Sequence, residues 1–388
     1  MDVLVDLTPL DTISRRQGIG HYVAALGAAL AALSPSEKQG LDIQGLTSLG
    51  GRLGPTDWPG SATPPYALDR FEMRYVWDRR WRLPLGLHTI RPRPRLFHAT
   101  QGLGTPRGSL IPRVLTCFDM IRLVLHEQYL GASRPYLEAY RLSELGRYLS
   151  ARRVVAISQY TADDLVRVLG ISASKIDVTY LGVDHERFHP PRSPEEDLRH
   201  REQRRLLGVD QRPYFLYVGS TDPRKKASLL LSAFCRARLA DAELIFAGHL
   251  IPAQKRELEE VWRAEGSPPC VRFLGFVPDD ALCALLGGAL ALTFPSVYEG
   301  FGLPVLEAMA SGCPVITTAA SSLGEVAGDA ALLVKPGDLD GLREAIRRIA
   351  SDHDLRARLR TDGLARAARF TWRDTALATV DSYARALA

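Results

Sequence analysis

Cysteine is sparse in this chain and unpaired. Cys117, Cys235, Cys270, Cys283 and Cys313 are scattered through 388 residues, and none belongs to a Cys-x-x-Cys pair. That argues against a disulfide framework or a thiolate zinc site and points to a reducing compartment. The apolar run Val23 to Leu33 is too short for the ~20 residues that cross a bilayer. Neither sign of charge dominates: the formal net charge is +5. Such a mild basic excess suits an anionic ligand or an anionic membrane surface and does not by itself argue for nucleic acid. There is no short repeat and no low-complexity tract. Arg15-Arg16 followed by the apolar run Val23 to Leu33 imitates a secretion signal. The strand-like Val3–Leu7 upstream of it argues instead for the first helix of a domain.

What the chain does have is alternation. Val3–Leu7, Leu96–Ala99, Arg113–Cys117, Val154–Ile157 and Asp177–Tyr180 are short strand-like runs, separated by helical patterns at Tyr22–Leu33, Pro135–Ser150 and Thr161–Leu169. Residues 186–212 are proline-rich and charged, as in a connector. The rhythm then resumes with Tyr214–Val218, Glu243–Ala247, Val271–Leu274, Leu290–Phe294, Val315–Thr317 and Ala331–Val334. So long a chain exceeds one compact core. The expectation is α/β, with two Rossmann-like domains facing a cleft. The first spans residues 1–190 and the second 207–371, with a last helix over 372–388.

The most informative segment runs from Phe294 to Gly312. An apolar strand leads into Tyr298-Glu299-Gly300-Phe301-Gly302, and Leu303-Pro304 opens a helix, since proline is tolerated in a first turn. Gly312 can end that helix in the left-handed conformation. Free N–H groups at such a helix start attract phosphate. A carboxylate beside them fits better as an acceptor for sugar hydroxyls, and Glu299 and Glu307 supply two. Tyr217-Val218-Gly219-Ser220-Thr221-Asp222-Pro223-Arg224-Lys225-Lys226 also joins a strand to a helix. Three cations at a helix entrance oppose its macrodipole. The arrangement makes sense if an anion such as a diphosphate binds there.

These two segments resemble the paired-glutamate signature and the Gly-x-x-x-Pro-Arg-Lys pattern of retaining glycosyltransferases of family 4, which have the GT-B fold. The resemblance covers nearly the whole chain and is strongest from Tyr214 to Asp338. It implies that Glu299 lies by the transferred sugar, that the amides of Gly300, Phe301, Gly302 and Leu303 meet sugar and phosphate, and that Glu307 binds the ribose. Lys225 corresponds to the lysine that contacts the donor diphosphate, with Arg224 beside it. Ser220 stands where many members carry arginine. Gly248 and Val277 lie in loops that resemble those around the nucleotide base, where backbone atoms do the reading. The last helix of the family crosses back onto the first domain.

In the first half, Gly18-Ile19-Gly20 resembles a family loop facing the cleft. It lacks the third glycine of a dinucleotide fingerprint. Family members commonly place His-Asp where this chain has Phe118-Asp119. Asp119 therefore becomes a candidate for a sugar hydroxyl, and His98 and His126 are second-tier candidates near the acceptor. Residues 70–95 carry many arginines interleaved with Phe71, Tyr75, Trp77 and Trp81, which suits an anionic lipid surface, a lipid-linked diphosphate or single-stranded nucleic acid, or else a helix packed on its domain with solvated arginines.

The resemblance implies a metal-independent, cofactor-free enzyme. It would move a sugar, a hexose or deoxyhexose with a mannose-like one favoured, from a nucleotide diphosphate donor to a saccharide or lipid-linked acceptor, in the cytoplasm or at the membrane's inner face. No aspartate-x-aspartate motif stands where a metal would be needed. A phosphorylase or nucleotide-sugar epimerase on the same fold, and a non-catalytic nucleotide-sugar-binding protein, share these features.

Overall fold

The computed structural model describes residues 1–11, 18–49, 52–56, 87, 90–101, 110–131, 133–209, 211–220, 222–248, 250, 252–267 and 270–388. The chain divides into two compact units, Met1–Gly182 with Trp372–Ala388, and Val183–Thr371. Each is built on one twisted sheet.

In the first unit the strands β1 (Val3–Asp6), β2 (Ile43–Leu49), β3 (Arg52–Thr56), β4 (Leu96–Ala99), β5 (Arg113–Cys117), β6 (Arg153–Ala156) and β7 (Ile176–Val178) lie in the order 3-2-1-4-5-6-7. All neighbours are parallel except β2 and β3. β1 and β4 are wholly buried and apolar but for Asp6 and His98, as expected of parallel strands covered on both faces. The sequence reading did not find β2 and β3. Glycine in β2, and glycine and proline in β3, hide the pattern, and an edge is where a strand tolerates proline.

The helix Trp372–Leu387 belongs to this unit and buries Thr375, Ala376, Thr379, Val380, Ser382, Tyr383 and Ala386. Its polar groups are matched: Ser382 Oγ donates to Asp177 (2.7 Å), and Thr375 Oγ1 donates to the Tyr180 carbonyl (2.7 Å).

The second unit has six parallel strands, β8 (Tyr214–Val218), β9 (Glu243–Ala247), β10 (Val271–Gly275), β11 (Ala291–Phe294), β12 (Val315–Thr318) and β13 (Leu332–Val334), in the order 10-9-8-11-12-13. This is the doubly wound order whose direction reverses between β8 and β11. An aromatic layer fills the sheet face: Tyr217 meets Phe246 at 5.2 Å, and Phe246 stacks on Phe273 at 5.1 Å between ring centroids.

The supposed connector over residues 186–212 contains a helix, Pro194–Leu206. Its sequence satisfies end rules that its low hydrophobicity conceals. Ser193 accepts from the Glu196 N–H (3.2 Å), a proline stands in the first turn, acids Glu195, Glu196 and Asp197 begin it, and Arg204 and Arg205 end it. That charge order follows the helix macrodipole.

Candidate functional site

The second unit gathers its chemistry at the carboxyl ends of β8 and β11, the reversal point where open α/β sheets leave a crevice. After β8 the backbone takes a turn that only glycine accepts easily: Gly219 has φ +129° and, on the neighbouring strand, Gly248 has φ +144°. A Cβ on Gly248 would lie 2.3 Å from the Gly219 carbonyl oxygen, and one on Gly219 would lie 2.6 Å from Lys225 Nζ. The two glycines thus let adjoining loops touch and let the lysine pass against the first of them. Gly219 N–H donates to the Ala247 carbonyl (2.9 Å) and Gly248 N–H to the Gly275 carbonyl (2.7 Å), tying three strand ends together.

Pro223–Lys225 form a single tight turn, begun by Asp222, whose side chain accepts from the Arg224 N–H (3.1 Å). Lys226 then adopts φ +53° and opens the helix Ala227–Ala237. Arg224 reaches the β11 loop. Its Nη1 donates to the Tyr298 carbonyl (2.8 Å) and forms an ion pair with Glu299, and its own carbonyl accepts from Val297 N–H (2.9 Å). Burial pushes the Lys225 pKa down, nearby Glu299 pulls it back up, Arg224 lowers it and Asp222 raises it. Lys225 Nζ stands 5.5 Å from the Phe294 ring centroid, which adds a cation–π contact. Two cations and one carboxylate are therefore held together by backbone as well as by charge.

The glycine loop after Glu299 is fixed from a third strand end. Glu299 N–H donates to Ser321 Oγ (2.8 Å), and Ser322 Oγ lies in donor range of the Glu299 (2.8 Å) and Phe301 (2.9 Å) carbonyls. Gly302 has φ +111°, and a Cβ there would lie 2.6 Å from Leu323 Cδ2. The helix Leu303–Ala310 follows with proline in its first turn and no side chain capping it. The N–H groups of Gly302 and Leu303 have no partner among the described residues.

Glu307, one turn inside, points where burial pushes its pKa up to about 7. Asp279 adds to the rise, and Arg187 opposes it. Arg187 is itself bonded to Asp279 (2.8 Å). Among the described residues nothing hydrogen-bonds to the Glu307 carboxylate. Val277 is buried just after β10, while its neighbour Phe276 is 73% exposed. Ser220 is exposed, its carbonyl accepting from Tyr217 OH (2.6 Å). Sequence reasoning gave Ser321, Ser322 and Arg187 no role at the site. Their signal was only two hydroxyls before a short helix and one arginine among many.

The first-unit candidates behave differently. Gly18 and Gly20 do not precede the first helix but form its first turn, and a Cβ on Gly18 would meet nothing within 4 Å. Asp119 Oδ1 accepts from the Ile121 N–H (3.0 Å) at the start of a single helical turn. His126 lies half-buried in the next turn.

His98, expected near the acceptor, is fully buried, its Nδ1 2.7 Å from Tyr383 OH and its Nε2 2.8 Å from Thr116 Oγ1. Burial pushes its pKa down to about 3, so it is neutral, and both ring nitrogens are engaged within the protein. It holds the C-terminal helix rather than a ligand. Phe118, at the position where histidine was expected, packs edge-on against Tyr22 with centroids 5.0 Å apart. Tyr22 OH in turn lies 3.0 Å from Thr116 Oγ1. Of the basic segment 70–95, only Leu87 and residues 90–95 are among the described residues. Leu87 and Ile90 are core residues, and Arg95 pairs with Asp2 (2.9 Å).

Among the described residues no group of three or more His, Cys, Asp or Glu is arranged to hold a metal ion, and no helix is long and apolar enough to cross a membrane.

Comparison with known proteins adds the family. Residues 199–366 match the family described as glycosyl transferases group 1, and residues 16–187 match glycosyltransferase family 4. O-antigen chain mannosyltransferase B of Escherichia coli is 32% identical over 282 residues, which are 70% of this chain and 70% of that protein. Serotype-specific mannosyltransferase WbdA of Escherichia coli is 28% identical over 71% of this chain, but the match spans only 33% of that longer protein. Among solved structures, sucrose-phosphate synthase from Thermosynechococcus elongatus superposes with a TM-score of 0.75 at 23% identity, covering 99% of this chain and 98% of that one. Two family matches side by side, and a curated relative aligned over more than two thirds of its own length, establish that the chain belongs to glycosyltransferase family 4 and has the GT-B fold.

Proposed function

We propose that this protein transfers a hexosyl group, mannose or a mannose-like sugar, from a nucleotide diphosphate donor to a saccharide or lipid-linked acceptor, with retention of anomeric configuration. The observation that carries the reading is the meeting of Arg224, Lys225 and Glu299 at the head of a loop whose Gly302 and Leu303 N–H groups have no partner among the described residues. A diphosphate brings acceptors to the amides and negative charge to the cations, and a sugar hydroxyl supplies a donor to the carboxylate. The 32% identity to an O-antigen mannosyltransferase supports the choice of sugar.

In the reaction the bond between the anomeric carbon and the diphosphate oxygen breaks. Lys225, Arg224 and the helix start at Leu303 stabilise the charge that grows on the leaving group. The acceptor hydroxyl attacks from the same face, and its proton passes to a diphosphate oxygen. Glu299 orients the sugar and stabilises positive character at the ring. Glu307 accepts from the ribose hydroxyls. With two side-chain cations at the phosphates, we propose that no divalent metal is required and that the protein works in the cytoplasm or at the inner face of a membrane.

The test is turnover with a panel of nucleotide sugars, the product's anomeric configuration being read by NMR. Glu299→Ala is expected to abolish transfer without unfolding the protein, and unchanged turnover would falsify its role. Product formed without acceptor indicates an epimerase, and phosphate dependence indicates a phosphorylase.

A further inference from the structure

The helix Ser322–Ala327 is bounded by two residues with nearly the same unusual backbone. Gly328 has φ +53° and ψ −139°, and Ser321 has φ +50° and ψ −140°. This region is strained for a residue with a Cβ and natural for glycine. At Gly328 the chain has glycine. At Ser321 it keeps a side chain, so the hydroxyl must contribute something that glycine would lose. Its Oγ accepts the Glu299 N–H at 2.8 Å.

The contact is one rung of a ladder. Thr317 Oγ1 donates to the Phe294 carbonyl (2.8 Å), Thr318 Oγ1 donates to the Ser296 carbonyl (2.5 Å), and Ser322 Oγ lies in donor range of the Glu299 and Phe301 carbonyls. Leu323 then fills the space that a Cβ on Gly302 would need. Side chains from β12 and the turn after it thus hold the backbone at five points from Phe294 to Gly302. Ser321 is the rung at the carboxylate-bearing residue itself.

We infer that Ser321 is a positioning residue for Glu299, held in a strained conformation because only there does its hydroxyl fix the Glu299 amide and, through it, the direction of the carboxylate. This rests on the glycosyl-transfer reading above, and it adds a residue that acts through Glu299 rather than on substrate. A purely structural serine and a positioning serine differ in a measurable way. Ser321→Gly removes the backbone strain and the hydroxyl together. If the residue serves the fold alone, stability and turnover move in the same direction. If it serves Glu299, they move in opposite directions.

The experiment compares wild type, Ser321→Gly and Ser321→Ala by thermal unfolding, by steady-state transfer with the nucleotide sugar that wild type uses best, and by amide hydrogen exchange over residues 297–303. Ser321→Gly is expected to melt at or above the wild-type temperature, to lose kcat by about tenfold or more with little change in donor KM, and to exchange faster across the loop. Ser321→Ala, which keeps the strain and loses the hydroxyl, is expected to lose both stability and kcat. Ser321→Gly turning over as fast as an active wild type, with loop exchange unaltered, overturns the inference and leaves the transferase reading standing. A wild-type protein that turns over no nucleotide sugar overturns both.

Discussion

Replacing Glu307 by glutamine should stabilise the protein in alkaline solution while weakening it as a nucleotide binder. The folded-state pKa of Glu307 lies near 7 rather than at 4.5, chiefly because the carboxylate is taken from water without a hydrogen-bond donor. A carboxyl group whose pKa is raised on folding costs nothing while it is protonated in both states, below about pH 4.5. Between 4.5 and 7 the unfolded chain releases the proton and the folded one keeps it, so stability falls as pH rises. Above 7 the loss is complete. At ~1.4 kcal/mol per pH unit the interval amounts to at most about 3–4 kcal/mol, an upper bound because the side chain keeps some contact with water.

Glu307→Gln removes the titration. Urea unfolding at a series of pH values should show the variant equal to wild type near pH 4.5 and more stable by up to about 3–4 kcal/mol at pH 8. Nucleoside diphosphate affinity of wild type should rise as pH passes 7, because ribose hydroxyls donate to the ionised form. Glu307→Gln should bind more weakly at pH 8 by ~1.5–3 kcal/mol, the range for a hydrogen bond to a charged group. Stability curves of variant and wild type that run parallel from pH 4.5 to 8 would refute the reasoning.

Three further outcomes are expected. Lys225→Ala should weaken nucleoside diphosphate binding by ~1.5–3 kcal/mol in calorimetry, since it removes one charge-assisted contact. Gly248→Ala should destabilise the second unit by more than ~2 kcal/mol in denaturant unfolding, because its Cβ would collide with the Gly219 carbonyl and its φ of +144° disfavours any side chain. Lys226→Asn should raise stability by about 0.5–1 kcal/mol, since asparagine tolerates the left-handed φ of +53° better than lysine and can cap the helix Ala227–Ala237. An unchanged melting temperature refutes it.

Much of the second unit was legible in the sequence because parallel strands buried on both faces are written as continuous apolar runs. Tyr214–Val218 and Glu243–Ala247 fall where the pattern puts them. The loop from Glu299 to Leu303 was legible because glycine, proline and carboxylate mark a turn and a helix start directly. The helix Pro194–Leu206 was not, because its stability comes from end capping and ordered charge rather than from an apolar stripe. His98 misled because a polar residue at a strand end looks the same in sequence whether it faces a ligand or Tyr383, which lies 285 positions away. Ser321 was invisible for a similar reason: no residue pattern announces that a serine adopts a glycine's backbone.

The C-terminal helix has a consequence for biosynthesis. His98, Asp177 and the Tyr180 carbonyl find their partners on Tyr383, Ser382 and Thr375. On the ribosome those groups must wait while residues 183–371, an entire further unit, are made. At ~5–20 residues per second the wait is on the order of ten seconds or more. The half of the protein that is translated first is therefore the half that finishes folding last, and a nascent chain stalled short of its final helix would leave an unsealed sheet for chaperones to shield.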